Sequence, residues 1–350
     1  MTDSASDPAT DSTGSGSARI LKTAVVGAGA FGRHHVRNYA QLPEAELVCV
    51  VDQDPVKRAA VSEQYGVRTV ATIDDLPDDI DAVSVAVPTR FHHEVALPLL
   101  ERGVSVLVEK PMVRTVEEGR SLIAAAEASG AVLSVGHVER FNPAARALRA
   151  HEIQPRYIDA SRVAPFSFRS ADVGVVLDLM IHNIDIVLHL ARSEPVRVEA
   201  VGVPVLTEHE DIANARVVFA NGCVASLTAS RVAMKTERKV RVFSADSYLT
   251  LDLGAREGCL YRKSKELTPE RVRELASGVE NLAALSGMVF DDLLEVEHLT
   301  VPEGDALTNE ILDFLRCVRD RVRPEVSGHD GLAAVSLALD ILAEIRKHSN

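Results

Sequence analysis

Cysteine is scarce in this sequence. The four present, Cys49, Cys223, Cys259 and Cys317, form no C-x-x-C pair and do not cluster with histidine. Their spacing excludes a disulfide framework and a structural zinc site, and no other metal-ligand pattern is present. Long apolar runs are also missing, and none reaches the roughly 18–20 residues of a membrane span. Positive charge is in deficit, with 38 Lys+Arg against 51 Asp+Glu for a net charge of −13, so a nucleic-acid backbone is not an expected partner. The first 18 residues, rich in Ser, Thr, Asp and Gly, lack both the apolar core of a signal peptide and the basic residues of a transit peptide. They read as a disordered tail ahead of a cytoplasmic enzyme-sized chain.

The remaining composition is that of an ordinary globular protein, 46% hydrophobic and 25% charged over 350 residues. That length suggests two domains, at roughly 150 residues each. Between residues 19 and 142, Val-rich apolar runs at 20–26, 47–51, 82–87, 104–108 and 131–135 alternate with helical stretches at 31–41, 55–64, 92–102 and 116–129. Near-continuous apolar runs suit strands buried on both faces, and the alternation predicts a doubly wound α/β domain with a mostly parallel sheet. After Asn142 the rhythm changes. A short helix at 143–151 precedes a strand at 156–162 and a single helix at 175–191. Strands follow at 196–203, 213–219, 223–230, 239–244 and 248–253, then helices at 269–283, 306–321 and 331–348. Short turns such as Asn221-Gly222 predict hairpins, so residues 143–350 read as an α+β domain with a mainly antiparallel sheet.

Val25-Val26-Gly27-Ala28-Gly29-Ala30-Phe31-Gly32 joins the first strand to the first helix. A G-x-G-x-x-G in that setting builds a dinucleotide site. The glycines allow a tight turn, backbone approach to the pyrophosphate, and close helix packing, while the helix N-terminus faces the phosphates. Asp52 ends the next strand, where a carboxylate accepts from ribose hydroxyls and repels a 2′-phosphate, so NAD is preferred over NADP. Lys57 and Arg58 lie close by and temper that preference. Asp52 can also be read as a helix cap, although Asp54, just before Pro55, fits that role better.

Three further segments complete a pattern: Val87-Pro88-Thr89-Arg90-Phe91-His92, Glu109-Lys110-Pro111, and Asp178-Leu179-Met180-Ile181-His182. Together with the glycine turn they resemble the Gfo/Idh/MocA family of sugar and cyclitol oxidoreductases, over the chain from about Ile20 to its end. The resemblance implies a Rossmann domain followed by an α+β domain whose open sheet mediates homodimers or homotetramers. The C-terminal helices are expected to pack back on the Rossmann half. The resemblance also implies a catalytic set of Lys110, Asp178 and His182, and cofactor contacts from Gly27, Gly29, Ala30, Phe31, Gly32, Asp52, Val87, Pro88, Thr89, His92, Glu109 and Lys110. Arg140 and Asn142 belong to a segment that lines the family's cleft.

Asp178 and His182 stand at i and i+4, on one helix face, so the carboxylate is expected to orient the imidazole. A His182–Asp185 pair is the competing arrangement. Either Lys110 or His182 can be the base. His34, His35 and His93 read as structural. Met180 replaces the glycine common in D-x-G-x-H relatives, which separates this chain from the inositol and glucose–fructose enzymes. The segments 138–143, 178–185, 211–216 and 225–231 resemble a subgroup, the bacterial UDP-N-acetylglucosamine 3-dehydrogenases. That likeness implies a 3-keto nucleotide sugar, aminated downstream by an aminotransferase towards a diamino lipid A. Arg162, Arg169 and Arg231 are candidate diphosphate contacts, or equally ion pairs within the protein. A dehydrogenase of another sugar, inositol or UDP-uronate is the first alternative, and a non-catalytic NAD-binding regulator the second.

Overall fold

The computed structural model describes residues 19–167, 173–264 and 294–348, with isolated positions at 268, 270, 273–274 and 277. The tail at 1–18 and most of the expected helix at 269–283 therefore lie outside the described residues. A six-stranded parallel sheet is built from β1 (Leu21–Val26), β2 (Ala45–Val51), β3 (Arg68–Val70), β4 (Ala82–Val85), β5 (Ser105–Glu109) and β6 (Leu133–Gly136), in the order 3-2-1-4-5-6. Helices α1 (Gly32–Gln41), α2 (Pro55–Tyr65), α3 (His92–Glu101) and α4 (Val116–Ser129) connect the strands. β4 is wholly buried, and β1 and β5 nearly so, which is why their sequences are continuous apolar runs rather than alternating ones. The strand order reverses between β1 and β4, and ligands of open α/β sheets bind at that point, beyond the carboxyl ends of the strands. β3 is absent from the sequence reading. It is a three-residue edge strand, too short to show a period.

The second half is an eight-stranded sheet. After the short helix α5 (Pro143–Ala147) come β7 (Tyr157–Val163), α6 (Ile181–Ala191), β8 (Pro195–Val203), β9 (Ile212–Phe219), β10 (Val224–Ser230), β11 (Glu237–Phe243), β12 (Ser247–Asp252), β13 (Glu257–Lys263) and β14 (Leu294–His298). The order is 14-13-12-11-7-10-9-8, antiparallel throughout except where β10 pairs parallel with β7. The β9–β10 hairpin turns at the Asn-Gly pair, where Asn221 Oδ1 accepts from Cys223 N–H at 3.0 Å. Sequence reasoning did not find β13 and β14: charged residues interrupt both, and β14 is largely exposed. Nor is the expected helix at 175–191 uniform. It opens with a π-turn over Val176–Met180 before α6 begins. All four cysteines are buried free thiols, and no helix of the described residues is long and apolar enough to cross a membrane.

Two terminal helices, α7 (Ala306–Asp320) and α8 (Gly328–Lys347), pack against the first sheet's half. On α7, Ile311, Phe314 and Leu315 join Val36 and Tyr39 of α1 in one apolar cluster. α8 packs on α4 and β6 on one side and on α6 and β8 on the other, so it bridges the two sheets. Among these apolar contacts Glu310 is fully buried, with no hydrogen-bond partner for either carboxylate oxygen. Burial, reinforced by Glu109, Asp185 and Asp313, pushes its carboxyl well above the usual carboxylate range. A group whose pKa is raised on folding stabilises at acid pH and loses that contribution as pH rises. Glu310→Met is therefore expected to raise stability at neutral pH by about 1–3 kcal/mol, the cost of an unsatisfied buried polar group. The gain should shrink towards acid pH, as urea denaturation at several pH values will report.

Candidate active site

A cavity of about 1760 Å³ opens where the carboxyl ends of β1, β2, β4 and β5 face the second sheet. Its first wall is the glycine turn. Gly27 adopts φ +97°, and a Cβ there would stand 2.6 Å from Ala86 O, so the turn requires glycine. Gly32 is tighter still, because its Cβ would meet Gly27 O at 1.7 Å. Gly29 differs: nothing lies within 4 Å of its Cβ position, and it lines the cavity. A side chain there would occupy only the space beside the exposed backbone, which suits a phosphate approaching the N-terminus of α1.

Asp52 also lines the cavity and braces this turn. Its Oδ2 accepts from Ala28 N–H at 2.7 Å and its Oδ1 from Asp54 N–H at 2.9 Å. The cap of α2 is Asp54, whose Oδ1 accepts from Val56 N–H. Lys57 stands 3.9 Å from Asp52.

The floor of the cavity carries the titratable side chains Glu109, Lys110 and Asp178. Lys110, just past β5, donates from Nζ to Asp178 O at 2.7 Å, with Asp178 Oδ1 at 3.5 Å. Both residues line the cavity, as does Glu109. Burial pushes the Lys110 ammonium below its ordinary value, opposed by the charges of Asp178 and Glu109. His182 is buried and does not line the cavity. Its Nδ1 has no hydrogen-bond partner. Burial, with Arg162, Lys110 and His137 nearby, holds its imidazole well below the usual value, hence neutral at neutral pH.

The expected Asp178–His182 pairing is thus not the arrangement found. Asp178 falls in the π-turn, where helical i,i+4 geometry does not apply, and it is paired with Lys110. The competing His182–Asp185 pair is also absent, because Arg140 grips Asp185 with Nε at 2.8 Å and Nη2 at 3.2 Å.

Most of the expected cofactor residues converge here: Gly27, Gly29, Ala30, Phe31, Asp52, Val87, Pro88, Thr89, Glu109 and Lys110 all line the cavity. Gly32, His92, Arg140 and Asn142 do not. His92 is buried, with Nε2 2.9 Å from Val87 O and Nδ1 2.9 Å from Pro111 O, so it ties two strand ends together. Asn142 caps α5 and donates to Glu139 Oε2 at 2.9 Å. Arg162 donates to Glu139 Oε1 at 2.7 Å, and Arg231 is paired with the fully buried Asp211 at 2.7 Å. Neither arginine reaches the cavity wall, so of the two readings left open for them the structure supports the ion pairs. Arg169 lies outside the described residues. Sequence reasoning missed His209, Arg346 and His348, which line the cavity from the β8–β9 connection and the end of α8. No local motif marks them, because only the tertiary fold carries them to the site.

Comparison with known proteins now decides the family. Residues 21–137 match the model described as "Oxidoreductase family, NAD-binding Rossmann fold", and residues 145–249 match the "GFO/IDH/MocA C-terminal domain". The UDP-N-acetylglucosamine 3-dehydrogenase of Acidithiobacillus ferrooxidans is 34% identical over 322 residues, 92% of this chain and 96% of that protein. The chain belongs to the Gfo/Idh/MocA family. A solved structure of the Acidithiobacillus enzyme superposes with a TM-score of 0.83, covering 93% of this chain and 98% of that one. The scyllo-inositol 2-dehydrogenase (NAD(+)) of Bacillus subtilis is 29% identical over 60% of this chain and 67% of that protein. This Gfo/Idh/MocA member is therefore an oxidoreductase whose first half is an NAD-binding Rossmann domain.

Its own residues fit NAD, with an open position at Gly29 for the pyrophosphate and a carboxylate at Asp52 for the ribose. Gly29→Val is expected to weaken NADH binding strongly without loss of stability, since its side chain meets no protein atom at Cβ. Fluorescence titration alongside thermal melting checks both halves of that statement.

Proposed function

We propose that the protein oxidises the 3-hydroxyl of a UDP-N-acetylhexosamine, UDP-N-acetylglucosamine in the first instance, to the 3-keto sugar. The observation that carries this reading is the 34% identity to a UDP-N-acetylglucosamine 3-dehydrogenase along almost the whole of both chains. The Lys110–Asp178 pair at the cavity floor supports it. When bound, NAD supplies the acceptor for the hydride. Lys110, its proton affinity lowered by burial, takes the hydroxyl proton and steadies the oxygen. Asp178 aims the Lys110 amine through its backbone oxygen and carboxylate. His182, neutral and close to Lys110, is the second candidate for the proton. Arg346, His348 and His209 are better placed than Arg162 or Arg231 to meet a diphosphate, because they line the cavity.

The product ketone is a natural substrate for a glutamate-dependent aminotransferase, which places the enzyme ahead of a 3-amino sugar and of lipid A assembly in the cytoplasm. A homodimer or homotetramer through the second sheet completes the proposal. That sheet carries an aromatic ladder in which Phe243 stacks on Tyr248 at 4.7 Å and Tyr248 on Tyr261 at 5.4 Å. Light scattering tests the assembly. For the reaction, NADH formation is measured with UDP-N-acetylglucosamine, inositol, glucose and UDP-N-acetylglucosaminuronate, each with and without a coupled aminotransferase and glutamate. Turnover with the neutral nucleotide sugar alone supports the proposal. Turnover only with another polyol overturns the substrate, and silence throughout overturns the catalytic reading.

A further inference from the structure

Behind the cavity floor runs a line of buried polar side chains that proton transfer at Lys110 does not use. Glu109 Oε1 lies 2.9 Å from His35 Nε2, and His35 Nδ1 lies 3.1 Å from Ser84 Oγ. Ser84 Oγ is in turn 2.8 Å from the Tyr39 hydroxyl. His35, Ser84 and Tyr39 are all essentially inaccessible, from α1 and β4, while Glu109 reaches the cavity. The other Glu109 oxygen, Oε2, accepts from Lys110 N–H at 3.2 Å.

Elementary donor and acceptor rules give this line a direction. A carboxylate only accepts, so His35 Nε2 carries the proton at the Glu109 end. With the ring neutral, Nδ1 is bare and accepts from the Ser84 hydroxyl. Ser84 Oγ in turn accepts from the Tyr39 hydroxyl. Each hydroxyl donates once along the line, and each acceptor is filled. That is the condition under which a buried polar network holds one arrangement. The ordinary reading of a buried histidine on the first Rossmann helix is structural, but this one ends on the carboxylate next to the lysine of the active site.

We propose that His35 is a positioning residue for the reaction: fixed in its Nε2–H tautomer by Ser84 and Tyr39, it holds the Glu109 carboxylate in place beside Lys110. The proposal rests on the reading of Lys110 as the group that handles the proton. Glu109 acts on Lys110 as a negative charge that raises its proton affinity, and His35 is the main partner that keeps that carboxyl below the usual carboxylate range against the effect of burial. The other groups facing this pair are Asp178 from the π-turn, Arg162 from β7, His137 after β6, His182 from α6, His92 from α3 and Glu310 from α7. His35→Asn and His35→Gln leave all of them in place.

The test uses those two variants together. The glutamine amide nitrogen reaches roughly where Nε2 stands and still donates to Glu109, whereas asparagine reaches only the Nδ1 side. His35→Gln is expected to keep the wild-type pH profile of kcat. His35→Asn is expected to move the Lys110 limb of that profile down by about one pH unit, a tenfold change in proton affinity. The NADH dissociation constant and melting temperature should be alike in both. Equal profiles in the two variants would overturn the proposal, since a merely structural role does not distinguish the two ends of the ring.

Long-range proton–nitrogen NMR of the wild-type protein, assigned by difference with His35→Gln, provides a readout free of turnover. A protonated Nε2 with a bare Nδ1 supports the chain, and the opposite tautomer overturns it. Full turnover in Lys110→Met would instead overturn the reading of Lys110 while leaving the His35 tautomer as found, so the two failures are distinguishable.

Discussion

Replacing Lys110 with methionine is expected to abolish measurable turnover, a loss of about 10²–10⁴-fold for a group that transfers the proton in the transition state. NADH affinity should be nearly unchanged. The proposed nucleotide cradle is the glycine turn and Asp52, on β1, α1 and β2, whereas Lys110 stands on the floor after β5. Methionine fills a similar volume, so the variant separates charge from packing. Single-turnover rates and NADH fluorescence titration, on a variant shown to melt like the wild type, measure the two sides. A non-catalytic NAD-binding protein would show no such contrast, because it would have no rate to lose. Retained full turnover would remove Lys110 from the chemistry and leave His182 as the remaining candidate for the proton.

Arg231→Met is expected to have the largest effect on stability, a loss of about 3 kcal/mol with little change in KM among molecules that stay folded. Arg231 Nε lies 2.7 Å from Asp211, which is fully buried and also accepts from the backbone N–H groups of Val205, Leu206 and Thr207. Those backbone donors and Arg231 hold the Asp211 carboxyl well below the usual carboxylate range despite its burial. A carboxyl whose pKa is depressed on folding stabilises above its unfolded value and loses that contribution as pH falls towards the folded one. Wild-type stability should therefore decline on acidification, and the variant should decline less. Urea midpoints across acid pH and substrate KM at neutral pH decide whether Arg231 is an ion-pair partner or a diphosphate ligand.

The Rossmann half was legible because its signals are local. Gly27 and Gly32 are dictated by contacts within a few residues or with the adjacent strand, and Val-rich runs report burial on both faces directly. Lys110 and Asp178 were legible through motif resemblance, and the structure brings them within 3.5 Å although 68 residues separate them. The partner of Asp178 was not legible. Helical periodicity assigns it to His182, but the π-turn at Val176–Met180 shifts the face, and that depends on packing rather than on propensity.

The arginines failed for a related reason. A buried guanidinium paired with Glu139 or Asp211 and one aimed at a phosphate look alike in sequence. His35 was read as structural because its significance lies in Glu109, 74 residues away. Arg346 and His348 reach the cavity only because α8 returns to bridge both sheets.

The most direct test of the account uses UDP-N-acetylglucosamine carrying deuterium at sugar carbon 3, with NAD and the wild-type protein, and mass spectrometry of the reduced cofactor. Deuterated NADH that fails to form in Lys110→Met is the predicted result. Unlabelled NADH would mean that oxidation occurs at another carbon, and it would contradict the central claim.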